Sequence, residues 1–579
     1  MLPFEIRHGV PQCTLENYER DFADQHLLHG VVARWAKEKP DALAIINADT
    51  KQEVTWEQFD KTTTAFAMKL LQMGFKKGGI FATSLPFLTE HIFLEYACFK
   101  IGVIHTPLDL RLKAPEVIRS LELVKAKGFA FLGQTPVADF RELGRAVMTD
   151  CPFIEHFIQF SPPGEEVIEG AQSALALAAE AQALALEAAK DPARSEVLAA
   201  YRKATAAVNE NDGALVIFTP GATGYPKPAL LSHRSITCQN MCGGAALGLG
   251  EKSRNLVVLP PSHVAGQTMQ LMNSFFYGGT AVILQFFDPA KALQAIQDYK
   301  VTLLGQAPAM FNLEWQLPNY DEYDLSSLEL ASYGGQQVSK QFLERLATMA
   351  PKFSTALGLT ETSGFCTYTP PGATVDDILS SVGYDMPVYP LSIRQPMKEN
   401  GTAGGELPDG EIGHICFKGP QTLLGYINAP EATAKTISKD GYLYTGDVGY
   451  KDEKGLHLTG LAKWVIKPKG YQVFPGQVED FICELREKVS LCGVVGVEHE
   501  VFSEAIVAFV EQKPGVELTV AELEEHARGI ASYMRPLHYV ILEPGRLPLN
   551  RAAETDYPLL SEMAKEEVAR LRAQGGWDR

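Results

Sequence analysis

The pattern of apolar and polar positions divides the chain into four stretches. Up to about residue 160, amphipathic segments such as 27–38 and 59–74 alternate with short apolar runs such as 78–86 and 127–133. Helices are typically amphipathic, whereas short apolar runs bounded by turn residues are typical of buried strands. This alternation predicts an α/β sheet.

An Ala-, Leu- and Glu-rich segment follows between about 165 and 208. These residues favour helix, and Asp191-Pro192 interrupts what would otherwise be one continuous helix. We expect a helical hairpin inserted at the surface. The polar face of this segment is not basic, which favours a packed hairpin over a helix that binds a membrane surface or a partner.

The alternation of strands and helices then resumes and predicts a second α/β unit from 214 to about 459. Its strand candidates are four apolar runs: 214–220, 255–261, 280–286 and 301–308. After Gly460 the pattern becomes shorter and mixed, with strands expected near 495–500, 505–512 and 538–544 and a helix over 519–534. The predicted fold class is therefore α/β: a large multi-subdomain N-terminal domain over 1–459 and a small α+β C-terminal domain over 460–579.

Composition narrows the function classes. The chain has 579 residues, of which 46% are hydrophobic and 21% are charged, so most of it is expected to fold. Its net charge of −18 disfavours nucleic acid and anionic lipid as partners. The nine cysteines include no C-x-x-C pair, and no apolar run reaches the length of a membrane span. We therefore expect a soluble cytoplasmic protein, with a homodimer as the default assembly.

The segment from Val216 to His233 carries the strongest chemical signal. An apolar strand runs into Gly221, Thr223 and Gly224, and Lys227 follows. Closely spaced glycines let backbone N–H groups turn toward an anion, and a lysine adds a positive charge, so the segment suits a phosphate. It does not fit the Walker pattern G-x-x-x-x-G-K-[ST]. Taken alone, it fits an ordinary glycine turn equally well.

The segment resembles the phosphate loop T-S-G-T-T-G-x-P-K-G of the AMP-forming adenylating superfamily, which includes acyl-CoA synthetases, luciferases and nonribosomal-peptide adenylation domains. Further stretches resemble the later motifs of that family in the same order: LPPSHVAG (259–266), ASYGGQQVSK (331–340), LGLTETSG (357–364), the long stretch 441–479, and YMRP with LPLNRAAETD (533–556). The stretch 100–112 extends the resemblance toward the N-terminus.

The resemblance implies a two-step reaction. A carboxylate attacks ATP to give acyl-AMP and pyrophosphate, and the thiol of coenzyme A then displaces AMP while the C-terminal domain rotates about a hinge. The implied catalytic residues are His263, Thr360, Glu361, Gly470 and Glu554, with Glu361 also implied to hold Mg²⁺. The implied nucleotide-binding residues are Thr219, Gly221, Thr223, Gly224, Lys227, Gly335, Gln336, Leu357, Gly358, Asp447 and Leu461. The hinge would lie at Lys463 and Trp464.

Several positions depart from the family pattern, mainly in groups used for adenylation. Pro220 and Ala222 replace two hydroxyl residues of the phosphate loop, Leu357 replaces the aromatic residue on adenine, and Leu461 replaces the arginine that reaches the ribose. Glu554 aligns with the lysine that bridges the carboxylate and the α-phosphate. Replacing an attractive by a repulsive unit charge at about 4 Å changes the interaction by roughly 4 kcal/mol each way, or a factor of about 10³ in rate for each 4 kcal/mol.

Three functions fit this sequence. The first hypothesis is thioester formation from acyl-AMP and coenzyme A, with adenylation weak or absent and a separate enzyme supplying the adenylate. The second is a complete ATP-dependent ligase, in which nearby lysines substitute for the lost one: Lys467, Lys469 and Lys565. The third is a non-catalytic protein that binds an acyl nucleotide or a coenzyme A ester. Four of the motif residues also have a purely structural interpretation. These interpretations are a turn residue for Asp447, a charge at a helix N-terminus for Glu361, a core histidine for His263 and a hairpin turn for Gly470.

Overall fold

A computed structural model of the chain describes most of its residues. The described residues are 4–135, 138–219, 226–335, 338–461, 464, 466, 468, 473, 475–499, 503–530, 532–549 and 555–577.

Strands occur along the whole chain. They are β1 (Ile6–Arg7), β2 (Val10–Pro11), β3 (Leu43–Asn47), β4 (Glu53–Thr55), β5 (Ile80–Ser84), β6 (Ile104–Pro107), β7 (Gly128–Leu132), β8 (His156–Phe160), β9 (Gln172–Ser173), β10 (Gly213–Thr219), β11 (Lys227–Ser232), β12 (Arg254–Val257), β13 (Thr280–Ile283), β14 (Leu303–Gln306), β15 (Leu330–Tyr333), β16 (Lys352–Thr355), β17 (Gly358–Leu359), β18 (Gly364–Phe365), β19 (Leu391–Arg394), β20 (Gly413–Phe417), β21 (Gly425–Tyr426), β22 (Leu443–Asp452), β23 (Gly455–Leu461), β24 (Val489–His499), β25 (Ser503–Gln512) and β26 (His538–Leu542).

Helices alternate with these strands. They are α1 (Leu15–Asp21), α2 (Leu28–Glu38), α3 (Trp56–Gln72), α4 (Thr89–Lys100), α5 (Ala114–Val124), α6 (Arg141–Asp150), α7 (Ala174–Lys190), α8 (Glu196–Ala206), α9 (His233–Leu247), α10 (Asn273–Phe276), α11 (Pro289–Tyr299), α12 (Pro308–Trp315), α13 (Lys340–Leu346), α14 (Val375–Ser380), α15 (Pro430–Thr436), α16 (Pro475–Cys483), α17 (Val520–Ala527) and α18 (Tyr557–Ala573). The predicted α/β class is confirmed.

Two large sheets organise the first part of the chain. One has the strand order β21-β11-β10-β6-β5-β7-β8-β9, and the other has the order β16-β15-β14-β12-β13-β3-β4. The prediction of two successive α/β units is therefore wrong. The early strands β3 and β4 join the later sheet, whereas the later strands β10, β11 and β21 join the early one.

The reason for this error is physical. An apolar run predicts that a strand is buried, but it does not encode its neighbour, because parallel strands are joined by long crossovers. In the structure Ile45 of β3 pairs with Ala281 of β13, more than 200 residues along the chain. The mixed sheets place the carboxyl ends of β10, β15 and β16 within one compact unit.

The Ala-rich segment forms two helices, as expected. Helix α7 packs on α3, and its Leu177 and Ala181 join the apolar core beside the eight-stranded sheet. Helix α8 also contacts α3, and each of its residues keeps some exposure. That this hairpin is an insertion stays a prediction.

Contacts divide the chain into two compact units. The first comprises 1–391, 399–402 and 417–443, and the second comprises 392–398, 403–416 and 444–579. The second unit contains the three-stranded sheet β24-β25-β26, packed against α16 and α18. The domain boundary at 459/460 stays a prediction.

The helix predicted over 519–534 is shorter than expected. Helix α17 ends at Ala527, Gly529 follows, and a separate 3₁₀ turn lies at Ser532–Met534. Glycine is unfavourable inside a helix, so a break at this point is reasonable. Among the residues that the structure describes, no helix combines the length and the apolar character needed to cross a membrane.

Glu314, a buried acid beside the seven-stranded sheet, provides a test of this fold. Glu314 on α12 is fully buried and accepts a hydrogen bond of 2.7 Å from Gln306 Nε2. Burial raises the pKa of Glu314 from its ordinary 4.5 to about 8, although the bond from Gln306 opposes this shift. The folded protein therefore holds one proton more than the unfolded chain between these two values, and the stabilisation is lost as pH rises through that window.

We predict that Glu314→Gln removes this pH dependence. Between pH 5.5 and 7.5 the free energy of unfolding of the wild type should fall faster than that of the variant, by at most about 1.4 kcal/mol per pH unit. Urea unfolding at several pH values measures the difference. The exposed Glu322→Gln is the matched control and should follow the wild type. Identical slopes for wild type and Glu314→Gln would contradict the prediction.

Candidate functional site

A tight hairpin carries two of the predicted catalytic residues. Strands β17 and β18 pair antiparallel, and a 3₁₀ turn over Thr360–Thr362 connects them. The turn is held by the Thr362 hydroxyl, which accepts from the backbone N–H of Leu359 at 3.1 Å and lies 2.6 Å from the carbonyl of Gly364. Thr360 and Glu361 therefore stand at the tip, with Gly358 at the base.

The end of β10 holds a buried hydroxyl beside Lys227. Thr219 is the last residue of β10, and it lies opposite Lys227, the first residue of β11. The Thr219 side chain is 5% exposed, yet within the described part of the chain its Oγ1 has no hydrogen-bond partner. Buried polar atoms are normally paired, so an unpaired hydroxyl next to a lysine is suited to receive a polar ligand.

Tyr426 links Lys227 to the hairpin tip. The Lys227 ammonium lies 4.3 Å from the centroid of the Tyr426 ring, and the Tyr426 hydroxyl donates a 2.6 Å hydrogen bond to Glu361 Oε1. A cation over a buried ring contributes about 1–2 kcal/mol, and a hydrogen bond to a charged group contributes about 1.5–3 kcal/mol. Lys227 and Glu361, two predicted site residues that lie far apart in the sequence, therefore both contact the side chain of Tyr426.

Sequence reasoning missed Tyr426. It lies in the short edge strand β21, in the run TLLGYINAP, which contains no charged residue and none of the motifs singled out above. Burial, and then the nearby Glu361 carboxylate, raise the pKa of Tyr426 well above its ordinary value, so the phenol keeps its proton and remains a donor at neutral pH. The Gly425-Tyr426 pair after an apolar run was the only signal, and it is a weak one.

His263 lies just before a π-helix over Ala265–Met272. Its Nδ1 accepts a hydrogen bond of 3.0 Å from the backbone N–H of Ala265. His263 is an exposed residue, and desolvation by the protein atoms around its imidazole lowers the pKa of the ring below its ordinary 6.5, while Asp109 opposes this shift. Thr268 on the π-helix donates to the Ser363 carbonyl at 2.7 Å, which ties the segment that follows His263 to the hairpin of β17 and β18.

The adenine-pocket candidates leave neighbouring strands at the same sheet edge. Tyr333 ends β15 and pairs in parallel with Thr355, which ends β16. Gly335 and Leu357 each follow two residues later, so both lie beyond the carboxyl ends of adjacent strands, the place where α/β sheets bind ligands. Gly335 has a positive φ of 95°, and a Cβ built on it would meet no atom within 4 Å.

The ribose candidates lie in the second unit. Asp447 of β22 pairs directly with Leu461 of β23 in an antiparallel register. The backbone N–H of Asp447 donates to the Thr445 hydroxyl at 3.1 Å. Trp464, predicted at the hinge, stacks on Tyr557 with ring centroids 5.3 Å apart.

The remaining predicted residues lie outside the described ranges, and the roles of all the predicted site residues stay predictions. The residues outside those ranges are Gly221, Thr223, Gly224, Gln336, Lys463, Gly470 and Glu554.

Glu361 is suited to hold a magnesium ion only together with a ligand. Across the described ranges no group of three or more His, Cys, Asp or Glu side chains could enclose a metal. Mg²⁺ commonly uses one or two protein carboxylates and completes its coordination with water and substrate phosphates. One carboxylate that contacts Tyr426 together with Lys227, a predicted phosphate-binding residue, fits that pattern. Glu361 would then supply the protein carboxylate that holds the ion.

Comparison with known proteins gives a consistent result. The family described as AMP-binding enzyme matches residues 32–427, and the family described as AMP-binding enzyme C-terminal domain matches 477–554. 4-Coumarate–CoA ligase 3 of Arabidopsis thaliana is 25% identical over 517 residues, covering 86% of this chain and 85% of that protein.

Two solved structures share the fold. ATP-bound MatB from Rhodopseudomonas palustris has a TM-score of 0.72 at 22% identity, covering 93% of this chain and 99% of the other. The anthranilate CoA ligase AuaEII, in complex with anthranoyl-AMP, has a TM-score of 0.71 at 20% identity, covering 94% and 98%. The large N-terminal and smaller C-terminal domains agree with the predicted fold class.

Thr219→Val tests whether the unpaired hydroxyl faces a ligand. The change keeps the shape of the side chain and removes no described hydrogen bond, so the thermal unfolding midpoint should stay the same or rise. Loss of one hydrogen bond to a bound phosphate should weaken AMP binding about tenfold, as measured by calorimetry.

Thr369→Val is the control for the loss of a bonded hydroxyl. Thr369 Oγ1 donates to the Thr355 carbonyl and accepts from the Thr355 N–H, both at 2.8 Å. This variant should lower the unfolding midpoint. Thr219→Val would contradict the account if it lowered the midpoint as much as Thr369→Val and left AMP binding unchanged.

Proposed function

Since the chain belongs to the family of AMP-binding enzymes, we propose that it forms an acyl-CoA thioester from acyl-AMP and coenzyme A, with ATP-dependent adenylation weak or absent. The substrate is a small carboxylic acid in the form of its acyl-adenylate, and a separate enzyme would supply the adenylate. The geometric observation that carries the proposal is the contact of Lys227 and Glu361 with Tyr426.

Thioester formation needs little covalent chemistry from the protein. The thiol of coenzyme A gives its proton to water or buffer, the resulting thiolate sulfur attacks the acyl carbon, and the bond from that carbon to the phosphate oxygen breaks, so that AMP leaves with the electron pair. Catalysis then depends on positioning the thiol and on stabilising the departing phosphate. Lys227 offers a positive charge to that phosphate, and the Thr219 hydroxyl offers a hydrogen bond.

Three other groups would support the bound adenylate. His263, an exposed residue whose pKa is lowered by desolvation, can contact the acyl group. Asp447 can accept hydrogen bonds from the ribose hydroxyls. Mg²⁺, when bound at Glu361, would neutralise phosphate charge.

Adenylation requires positive charge near the reacting phosphates, and this sequence has an acid at one position where the family has a cation. Pyrophosphate departure builds negative charge on the phosphate oxygens, and cationic groups must stabilise it. Glu554 stands in the sequence where the family has its bridging lysine, and its charge would repel both the carboxylate and the phosphate. Leu461, opposite Asp447 in register, has no donor for the ribose diol.

A complete ATP-dependent acid–CoA ligase is the alternative. It is favoured by the similarity to relatives such as the Arabidopsis 4-coumarate–CoA ligase and by three lysines of the C-terminal region that could compensate: Lys467, Lys469 and Lys565. A protein that only binds an acyl nucleotide or a coenzyme A ester is the third reading. Consumption of coenzyme A with synthetic acyl-AMP separates it from both enzymes.

We predict that pyrophosphate exchange into ATP is near background with a panel of acids, whereas coenzyme A is consumed when acyl-AMP is supplied. Glu554→Lys should raise the exchange, by up to about 10³-fold if the missing cation is the main barrier. Adding Leu461→Arg should raise it further by lowering the KM for ATP.

Glu566→Lys is the matched control, because it makes the same charge change at an exposed position of α18. It should leave the exchange at background. Robust exchange by the wild type would overturn the proposal in favour of the complete ligase, and no consumption of coenzyme A from any acyl-AMP would favour the binding protein.

A further inference from the structure

Lys227 and Glu361 carry opposite charges on different parts of one phenol. The ammonium lies 4.3 Å from the ring centroid of Tyr426, and the carboxylate accepts the Tyr426 hydroxyl at 2.6 Å. The ring of Tyr426 therefore stabilises the ammonium, and its hydroxyl stabilises the carboxylate, without a direct ion pair between the two charges. This arrangement matters because a paired lysine would offer less positive charge to an anion.

We propose that Tyr426 is a positioning residue that keeps Lys227 and Glu361 from neutralising each other. The ammonium then stays available for a phosphate and the carboxylate for a cation. The role of the phosphate rests on the proposed function, whereas the separation of the two charges rests on the contacts alone.

The backbone around Tyr426 is held firmly enough for this role. Tyr426 pairs with Ala229 in the edge of the eight-stranded sheet, and its N–H donates to the Thr433 hydroxyl at 2.9 Å. Gly425 has a φ of 138°, and a Cβ built on it would lie 3.0 Å from the Thr433 side chain, so the strand fits closely against α15. The Tyr426 side chain is 6% exposed, which keeps the ring between its two partners.

Removal of the ring should let the two charges meet. Lysine has a flexible four-carbon stem, and opposite charges attract strongly at about 4 Å in a partly buried place. In Tyr426→Leu the ammonium of Lys227 should therefore pair with Glu361. In Tyr426→Phe the ring remains and continues to cover the lysine, so pairing should be weaker.

Chemical labelling of Lys227 measures this pairing without any ligand. An N-hydroxysuccinimide ester acylates only the neutral amine, and mass spectrometry of the peptide containing Lys227 gives the rate. We expect Tyr426→Leu to slow the labelling about tenfold, the effect of one pKa unit, and Tyr426→Phe to slow it less than threefold. Tyr277→Phe, which loses a hydroxyl that donates to the Met241 carbonyl at 2.8 Å, is the control and should match the wild type.

Neutralising Glu361 separates positioning from a structural role. The double variant Tyr426→Leu/Glu361→Gln should label as fast as the wild type, because the lysine has lost its acidic partner. Glu361→Gln alone should leave the rate unchanged. The proposal is overturned if Glu361→Gln alone speeds labelling severalfold, since the pair would then already exist, or if the double variant stays as slow as Tyr426→Leu.

Should Tyr426→Leu fail to fold, as judged by its unfolding midpoint, Tyr426→Phe and Glu361→Gln still decide. The proposal is supported if Lys227 is labelled more slowly in Tyr426→Phe than in the wild type and if the double variant Tyr426→Phe/Glu361→Gln regains the wild-type rate. It is opposed if the double variant does not regain that rate. In calorimetry, the variants whose Lys227 is labelled more slowly should also bind AMP more weakly. A wild type that does not bind AMP would count against the proposed function, while the labelling pattern would still decide the role of Tyr426.

Discussion

The proposed site depends on one electrostatic constraint: an ammonium that would receive a phosphate and a carboxylate that would hold a cation must lie close together without neutralising each other. In this chain the constraint is met through Tyr426, whose ring faces Lys227 and whose hydroxyl binds Glu361. The sheet edge holds the lysine and the tyrosine, and the hairpin after β16 holds the glutamate. Each element contributes one charge or one contact, and none of them forms the site alone.

Much of the fold could be predicted from the pattern of apolar runs, because burial of a strand or a helix face depends on local residues. The runs around β5, β7, β10 and β14 illustrate this. Sheet membership could not be predicted in the same way, because β3 pairs not only with the adjacent β4 but also with β13, more than 200 residues away. The start of the helix predicted over 519–534 agrees with α17, whereas its end differs, because Gly529 is unfavourable inside a helix.

The candidate site shows the same division. Motif residues such as Thr219, Lys227 and Glu361 could be identified because their order along the chain resembles a known family. Tyr426 could not, because its role arises only when β21 is placed beside β11. That the Thr219 hydroxyl has no partner among the described residues is likewise a property of packing, which no residue pattern encodes.

On the proposed function, the departures from the family pattern weigh mainly on adenylation. Glu554 stands in the sequence where the resemblance implies a lysine between the carboxylate and the α-phosphate, whereas Leu357 and Leu461 would also weaken contacts with the adenine and the ribose of a bound adenylate. Loss of a cation costs more in forming acyl-AMP, because pyrophosphate must leave with high charge, than in releasing AMP to a thiol. A division of the pathway between two proteins is consistent with that difference.

The most direct measurement is a single-turnover comparison in one enzyme preparation. Acyl-CoA formation is followed by rapid quench, once from acyl-AMP and coenzyme A, and once from the free acid, ATP, Mg²⁺ and coenzyme A. The account predicts that the first reaction is faster by about 10³-fold or more, the factor expected for a repulsive charge in the place of a cation. Equal rates from both starting points would contradict it.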